Sequence, residues 1–243
     1  MLTKDTQHSP SKAVLKVHDL HAHYGESHIL HGIGFEVFAG EVVTLLGRNG
    51  AGRTTTLKAI MGLVPQRHGC VEIHGTQAIG LEPHHIARLG LGFCPEERGI
   101  FSSLSCEENL LLPPVLKPGG MTLEAIYALF PNLLERKDSP GTKLSGGEQQ
   151  MLALARILRS GAKLLLLDEI SEGLAPVIVQ SLARLILQLK GAGFTIVMVE
   201  QNFRFAAPLA DRFYVMDRGQ IVQTFEQSEL ERVSPNLKEF LGV

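Results

Sequence analysis

Gly47-Arg48-Asn49-Gly50-Ala51-Gly52-Arg53-Thr54 lies between an apolar run, Val42-Val43-Thr44-Leu45-Leu46, and a segment of helical character, Thr54-Thr55-Thr56-Leu57-Lys58-Ala59-Ile60-Met61. The apolar run reads as a buried strand and the following segment as the opening of a helix. The spacing follows the phosphate-binding pattern G-x-x-x-x-G-K-[ST] at every position but the seventh, where Arg53 stands for lysine. Glycines let the backbone curl so that successive N–H groups face one anion. The helix N-terminus adds its partial positive charge. Thr54 supplies a hydroxyl for a magnesium ion.

Outward from this loop, strand-like and helical runs alternate. Val14–Leu20, two runs within Phe35–Leu46, Cys70–His74 and Leu91–Cys94 read as strands, and Pro83–Leu89 as a short helix. Residues 96–160 change character, with helical periodicity at Cys106–Leu112, Thr122–Phe130 and Gly147–Leu158 and breaks at Pro113-Pro114 and Lys117-Pro118-Gly119-Gly120. Strands resume at Lys163–Leu167, Phe194–Val199, Phe213–Asp217 and Gln220–Phe225, with helices at Pro176–Lys190 and Phe203–Ala210. Strands alternating with helices imply an α/β core with a mixed, mainly parallel sheet covered on both faces. The expected organisation is one domain: a loose polar tail over 1–12, an α/β core over 13–95 and 161–243, and a helical lobe over 96–160.

Composition narrows the possibilities. The chain has 243 residues, 44% of them hydrophobic, enough for a substantial core. Its formal net charge of -2 provides no broad basic field for nucleic acid. Cys70, Cys94 and Cys106 are widely spaced and form no metal or disulfide pattern, as in a reducing compartment. Residues 1–12 are polar and give no signal peptide. No apolar run approaches the roughly 20 residues that span a bilayer, so any membrane role is expected to come through a partner. His18, His21, His23, His28 and His31 are dense, but their spacing matches no metal motif and reads as a solvated strand edge and loop.

Two further motifs carry chemistry. Leu164-Leu165-Leu166-Leu167-Asp168-Glu169 is a buried strand ending in two acids at its carboxyl end, where ligands sit in open α/β sheets. Asp168 can join a magnesium shell, and Glu169 can orient or deprotonate an attacking water. Leu144-Ser145-Gly146-Gly147-Glu148-Gln149-Gln150 places a capping serine and two glycines at a helix start, a second anion site.

Together these motifs, in this order and at these separations, resemble the ATP-binding subunit of ATP-binding cassette (ABC) transporters over roughly residues 14–243. The resemblance implies an ATPase of the P-loop type with an inserted helical lobe, binding ATP and Mg2+. It implies that two such subunits close head to tail, with ATP between the P-loop of one (Gly47, Arg48, Asn49, Gly50, Ala51, Gly52, Arg53, Thr54, Thr55) and the Ser145-Gly146-Gly147-Glu148 segment of the other. Tyr24, just before Gly25, matches the aromatic residue that stacks on adenine. Glu96 takes a glutamine position that touches magnesium or water beside Thr54 and Asp168. Transmembrane permease subunits are the implied partners, with a periplasmic substrate-binding protein engaged indirectly. The implied location is peripheral, on the cytoplasmic face of the membrane. A permease helix is expected in a groove between the helical lobe and the core, near Phe101–Asn109.

Finer details resemble the branched-chain amino-acid branch and its F-type ATP-binding protein: Arg48 after the first glycine, Pro95-Glu96-Glu97-Arg98-Gly99-Ile100-Phe101, Gly173-Leu174-Ala175-Pro176, and Val199-Glu200-Gln201-Asn202. Gln201 stands where most relatives carry histidine and can only hydrogen-bond the γ-phosphate. That branch implies pairing with a second, different ATP-binding subunit, a second copy being the other option. Urea or short amides are alternative cargoes. Arg53 departs even from this branch. Arginine is larger and planar where lysine is a compact charge, so slower turnover, or a regulatory subunit with little hydrolysis, is the competing expectation. Ile170 and Glu172 also depart, with no catalytic reading.

Overall fold

The structure is a computed structural model and describes residues 12–230 and Arg232. The expected tail, apart from Lys12, and nearly all of 231–243 lie outside the described residues.

In chain order the strands are β1 (Ala13–Tyr24), β2 (Ser27–Phe38), β3 (Val42–Gly47), β4 (Gln66–Ile73), β5 (Thr76–Gln77), β6 (Leu91–Cys94), β7 (Leu164–Asp168), β8 (Thr195–Glu200), β9 (Arg212–Asp217) and β10 (Gln220–Glu226). The helices are α1 (Arg53–Ile60), α2 (Pro83–Arg88), α3 (Cys106–Leu111), α4 (Leu123–Leu129), α5 (Pro131–Glu135), α6 (Gly146–Arg159), α7 (Pro176–Gly191) and α8 (Phe203–Ala206). One sheet has the order β10-β9-β3-β8-β7-β6. Its pairings are parallel except β9 with β10. The α/β fold with a mixed, mainly parallel sheet is therefore as expected from the sequence.

A second, wholly antiparallel sheet, β2-β1-β4-β5, has no counterpart in the sequence reading. Its origin is local. β1 and β2 are joined by a two-residue turn in which Gly25 has φ +56, short enough to force antiparallel pairing. Leu15, Val17, Leu20 and Ala22 point inward. The parity slips between Val17 and Leu20 at a bulge where Asp19 has φ +49. Gly69 on β4 lets this bulge fit: a Cβ there would lie 2.2 Å from the Asp19 carbonyl oxygen.

In the larger sheet the inner strands β3, β7 and β8 are buried on both faces, so side chains sort by parity. Leu165, Leu167, Ile196 and Met198 pack with α3, α4, α6 and α7 in one core. Leu164, Leu166, Val197 and Val199 pack with α1 and the antiparallel sheet in another. Ile170 belongs to the first core, 1% exposed, which gives that departure a packing reason. Capping boxes start α3 (Ser105 with Glu108) and α6 (Ser145 with Glu148). Some boundaries differ from the sequence reading. α5 begins at Pro131 directly after α4, and β4 starts at exposed Gln66 rather than Cys70. α8 ends at Ala206, short of the expected Ala210.

Gly219 joins the fold to the phosphate loop. Its carbonyl accepts from the His31 amide at 2.8 Å and its amide donates to the Ala51 carbonyl at 2.9 Å. It has φ +75, and a Cβ there would lie 1.9 Å from the Ile29 carbonyl oxygen. Gly219→Ala is expected to cost about 2 kcal/mol or more, through left-handed strain and a backbone clash. Thermal unfolding should show Tm lowered by about 5 °C or more, and an unchanged Tm would contradict this reading of the contact.

Candidate functional site

The loop between β3 and α1 closes as its sequence requires. Gly50 and Gly52 have φ +82 and +98, values that favour glycine. Gly47 cannot take a side chain either, since a Cβ would meet the Met216 carbonyl oxygen at 2.5 Å. The loop lines a cleft of about 460 Å³, together with Ile29, Thr54, Thr55, Glu96 and Glu169.

Arg53 is, among the described residues, the one cation lining that cleft, and it is 4% exposed. Its Nη2 donates to Glu169 Oε1 at 2.6 Å and to Asn49 Oδ1 at 3.3 Å. Its Nη1 is buried with no partner among the described residues. Burial pulls its pKa down from the ordinary arginine value, and the carboxylates of Glu169, Glu200, Asp168 and Glu172 oppose this. Burial pushes the Glu169 carboxyl up, with Arg53 opposing. The side chain expected to face phosphate thus lies across the cleft on the carboxylate expected to act on water.

Thr54 Oγ1 donates to Asp168 Oδ1 at 2.9 Å, while Asp168 Oδ2 is buried with no partner among the described residues. Asp168 is fully buried. Burial pushes its pKa up to about 6, against the Thr54 hydrogen bond. An orphaned carboxylate oxygen, a hydroxyl and nearby exposed Glu96 are hard oxygen donors that fit Mg2+. Binding requires the carboxylate form. As pH falls through about 6, Asp168 gains a proton and Mg2+ affinity should weaken, approaching tenfold per unit below that value. Titration of Mg2+-dependent nucleotide binding between pH 5 and 8 checks this, and a pH-independent affinity would contradict it.

Other expected residues lie apart from this cleft. Tyr24 ends β1 and is 46% exposed, free to present its ring. Gln201 follows β8 and is exposed, and Asn202 caps α8 by accepting from the Phe205 amide. Ser145, Gly146, Gly147 and Glu148 open α6 and do not line the cleft of this chain. Within the chain, Ser145 and Glu148 satisfy each other's amides. The Glu96 loop reaches α6 through Arg98 Nε, which donates to Gln150 Oε1 at 3.1 Å.

Two expectations hold in part. A groove between the helical lobe and the core is present as expected, but segment 101–109 does not line it. Asn109 is fully buried, its amide bonded to carbonyls of Phe101, Leu104 and Ser105. Glu107 accepts from the Tyr127 hydroxyl and Glu108 caps α3, so both serve the fold. This apolar groove of about 420 Å³ is bounded by Leu63, Phe93, Pro95, Leu116, Arg156 and Ile157. The expected strand edge holds for His28 and His31 on edge strand β2, while His18, His21 and His23 lie on interior strand β1: His21 stacks on His68 at 4.7 Å, and His23 on His28 at 4.1 Å. Among the described residues, no group of three or more His, Cys, Asp or Glu side chains is arranged to hold a metal ion.

Sequence reasoning missed Glu200 and Ser171. Glu200 is 1% exposed and Ser171 6%, and burial pushes the Glu200 carboxyl up to about 7. A charged residue closing an apolar strand reads as solvated, and no local pattern reveals a partner 29 residues away.

The ABC transporter family matches residues 30–172, more than half the chain, including the phosphate loop, the capped glycines of α6 and the acidic end of β7. The chain belongs to the ABC transporter family. This ABC transporter chain is 42% identical over 203 residues to the high-affinity branched-chain amino acid transport ATP-binding protein BraG of Pseudomonas aeruginosa, covering 82% of this chain and 87% of BraG. It is 30% identical to the lipopolysaccharide export system ATP-binding protein LptB of Escherichia coli K12, covering 95% and 98%. A solved ATP-binding subunit of an ABC transporter superposes with TM-score 0.78 at 28% identity, over 95% of this chain and 100% of that one. A nucleotide-free ATP-binding cassette superposes with TM-score 0.81 at 22% identity, over 96% and 99%, a likeness of fold. As a member, the ABC transporter chain is an ATPase, taking ATP to ADP and phosphate. No described helix is long and apolar enough to cross a membrane.

Proposed function

We propose that this chain is the ATP-hydrolysing subunit of an importer for branched-chain amino acids. The carrying observation is the 42% identity to BraG over most of both chains. The branch-like segments at 95–101, 173–176 and 199–202 support it. The chain works with transmembrane permease subunits on the cytoplasmic face. It pairs there with a second ATP-binding subunit, a different chain by preference. The apolar groove beside Phe93 and Ile157 suits a permease helix, since its walls bring the sheet and the helical elements together.

The site residues take these roles in the proposal. Amides of the Asn49–Thr54 loop cradle the phosphates, and Tyr24 stacks on adenine. Thr54, Asp168 and Glu96 hold Mg2+, which when bound offsets phosphate charge. Glu169 takes a proton from, or orients, the attacking water. Gln201 hydrogen-bonds the γ-phosphate. Arg53 leaves Glu169 for the phosphates as nucleotide enters. The Ser145-Gly146-Gly147-Glu148 segment lies outside this chain's cleft and serves the site of the paired subunit.

The test is uptake of labelled leucine by vesicles holding the assembled transporter, with and without ATP. ATP-dependent accumulation supports the reading, and extrusion or indifference to leucine would overturn it. A second reading, export, is favoured by the near-complete coverage of LptB. The same vesicles, loaded instead of bathed, distinguish the two.

A further inference from the structure

Glu200 is the last residue of β8, and its carboxyl is held by one residue. The Ser171 amide donates to Oε1 at 3.2 Å and the Ser171 hydroxyl to Oε2 at 2.8 Å. Among the described residues no cation lies within ion-pair reach of Glu200. The Arg53 guanidinium favours its charged form only from beyond contact, and a buried carboxyl without a paired cation is costly, so stability alone does not account for it.

What it holds is a strained stretch. The chain leaves β7 with Glu169 at φ +46, a left-handed conformation uncommon outside glycine. Such conformations persist only where surrounding contacts over-determine them. The Glu169 amide donates to the Val199 carbonyl at 2.9 Å. Two residues on, Ser171 is gripped by Glu200. Val199 and Glu200 are consecutive, so the end of β8 clasps residues 169–171 at two successive points. The next residue after Glu200 is Gln201. One carboxyl therefore ties the segment bearing Glu169 to the segment bearing Gln201.

We propose that Glu200 is a positioning residue for ATP hydrolysis: through Ser171 it holds Glu169 in register with Gln201, without itself touching nucleotide. The inference rests on the reading of Glu169 as the carboxylate that acts on water.

Glu200→Ala, Glu200→Gln and Ser171→Ala are compared in the full chain assembled with its transporter partners, with Glu169→Gln alongside. Phosphate release gives kcat and KM, and hydrogen exchange reports the amides of 169–172. Glutamine can accept from the Ser171 amide and donate to its hydroxyl oxygen. The expected result is a kcat loss of about tenfold to a hundredfold in both alanine variants with KM little changed, and retention of most turnover by Glu200→Gln. Exchange at 169–172 should rise about tenfold in the alanine variants, with α1 unaffected. Wild-type kcat in the alanine variants, unmoved exchange, or a Glu200→Gln as impaired as Glu200→Ala would overturn the proposal. Should Glu200→Ala fail to fold, Ser171→Ala removes only a hydroxyl and decides alone. Full turnover by Glu169→Gln would fail the reading of Glu169 instead, and the exchange data would still decide whether Glu200 holds the loop.

Discussion

Glu169→Gln should lower steady-state phosphate release by about a hundredfold to ten-thousandfold, the range for a lost general base. Glutamine fills the same space but carries no charge and accepts no proton at neutral pH. In this chain the substitution has a second effect. Glu169 Oε1 receives Arg53 Nη2 at 2.6 Å, so carboxylate and phosphate compete for one guanidinium. Removing the carboxylate charge frees Arg53 for nucleotide, and affinity for Mg-ATP should rise while turnover falls. Equilibrium binding and phosphate release on the same preparation check both. Turnover at the wild-type rate would remove Glu169 from the mechanism, and weakened binding would show that Arg53 does not serve the phosphates.

Arg53→Lys should act in the opposite direction on turnover. The native guanidinium is buried, with Nη1 unpartnered among the described residues and Nη2 on Glu169. Lysine offers a compact ammonium with three donors on a flexible stem and no planar fork to fill. It should release Glu169 and reach the phosphates without moving the loop. A gain of one well-placed charged hydrogen bond in the transition state corresponds to about tenfold in kcat. Phosphate release from the assembled transporter, native chain against the Arg53→Lys variant, measures it. Equal rates would make Arg53 a working replacement. A native chain with no turnover, rescued by lysine, would favour the regulatory-subunit alternative.

Much of the geometry of the candidate cleft was legible because its signals are local. The strand, glycine loop and helix occupy consecutive residues, and β6 runs over Leu91–Cys94 as its apolar run indicated. The acidic end of β7 was legible for the same reason. Partnerships across the sheet were not. Arg53 and Glu169 are 116 residues apart, and only the adjacency of β3, β8 and β7 brings their segments together. Glu200 was hidden likewise. The first half of β2 was lost because Ser27, His28, His31 and Gly32 break its apolar alternation, although the hairpin with β1 overrides that weak propensity. The histidine stack needed the registers of β1 with β2 and β4, which align His21 with His31 and His68.

The parity sorting of the larger sheet has a mechanical side. Leu165 and Leu166 are neighbours in sequence but belong to different interiors, so the sheet is a bulkhead with a dry compartment on either side. Packed interiors resist continuous deformation, yet nothing obliges both compartments to yield together. The wall that α3–α6 press against is therefore not the wall that seats α1 and the phosphate loop.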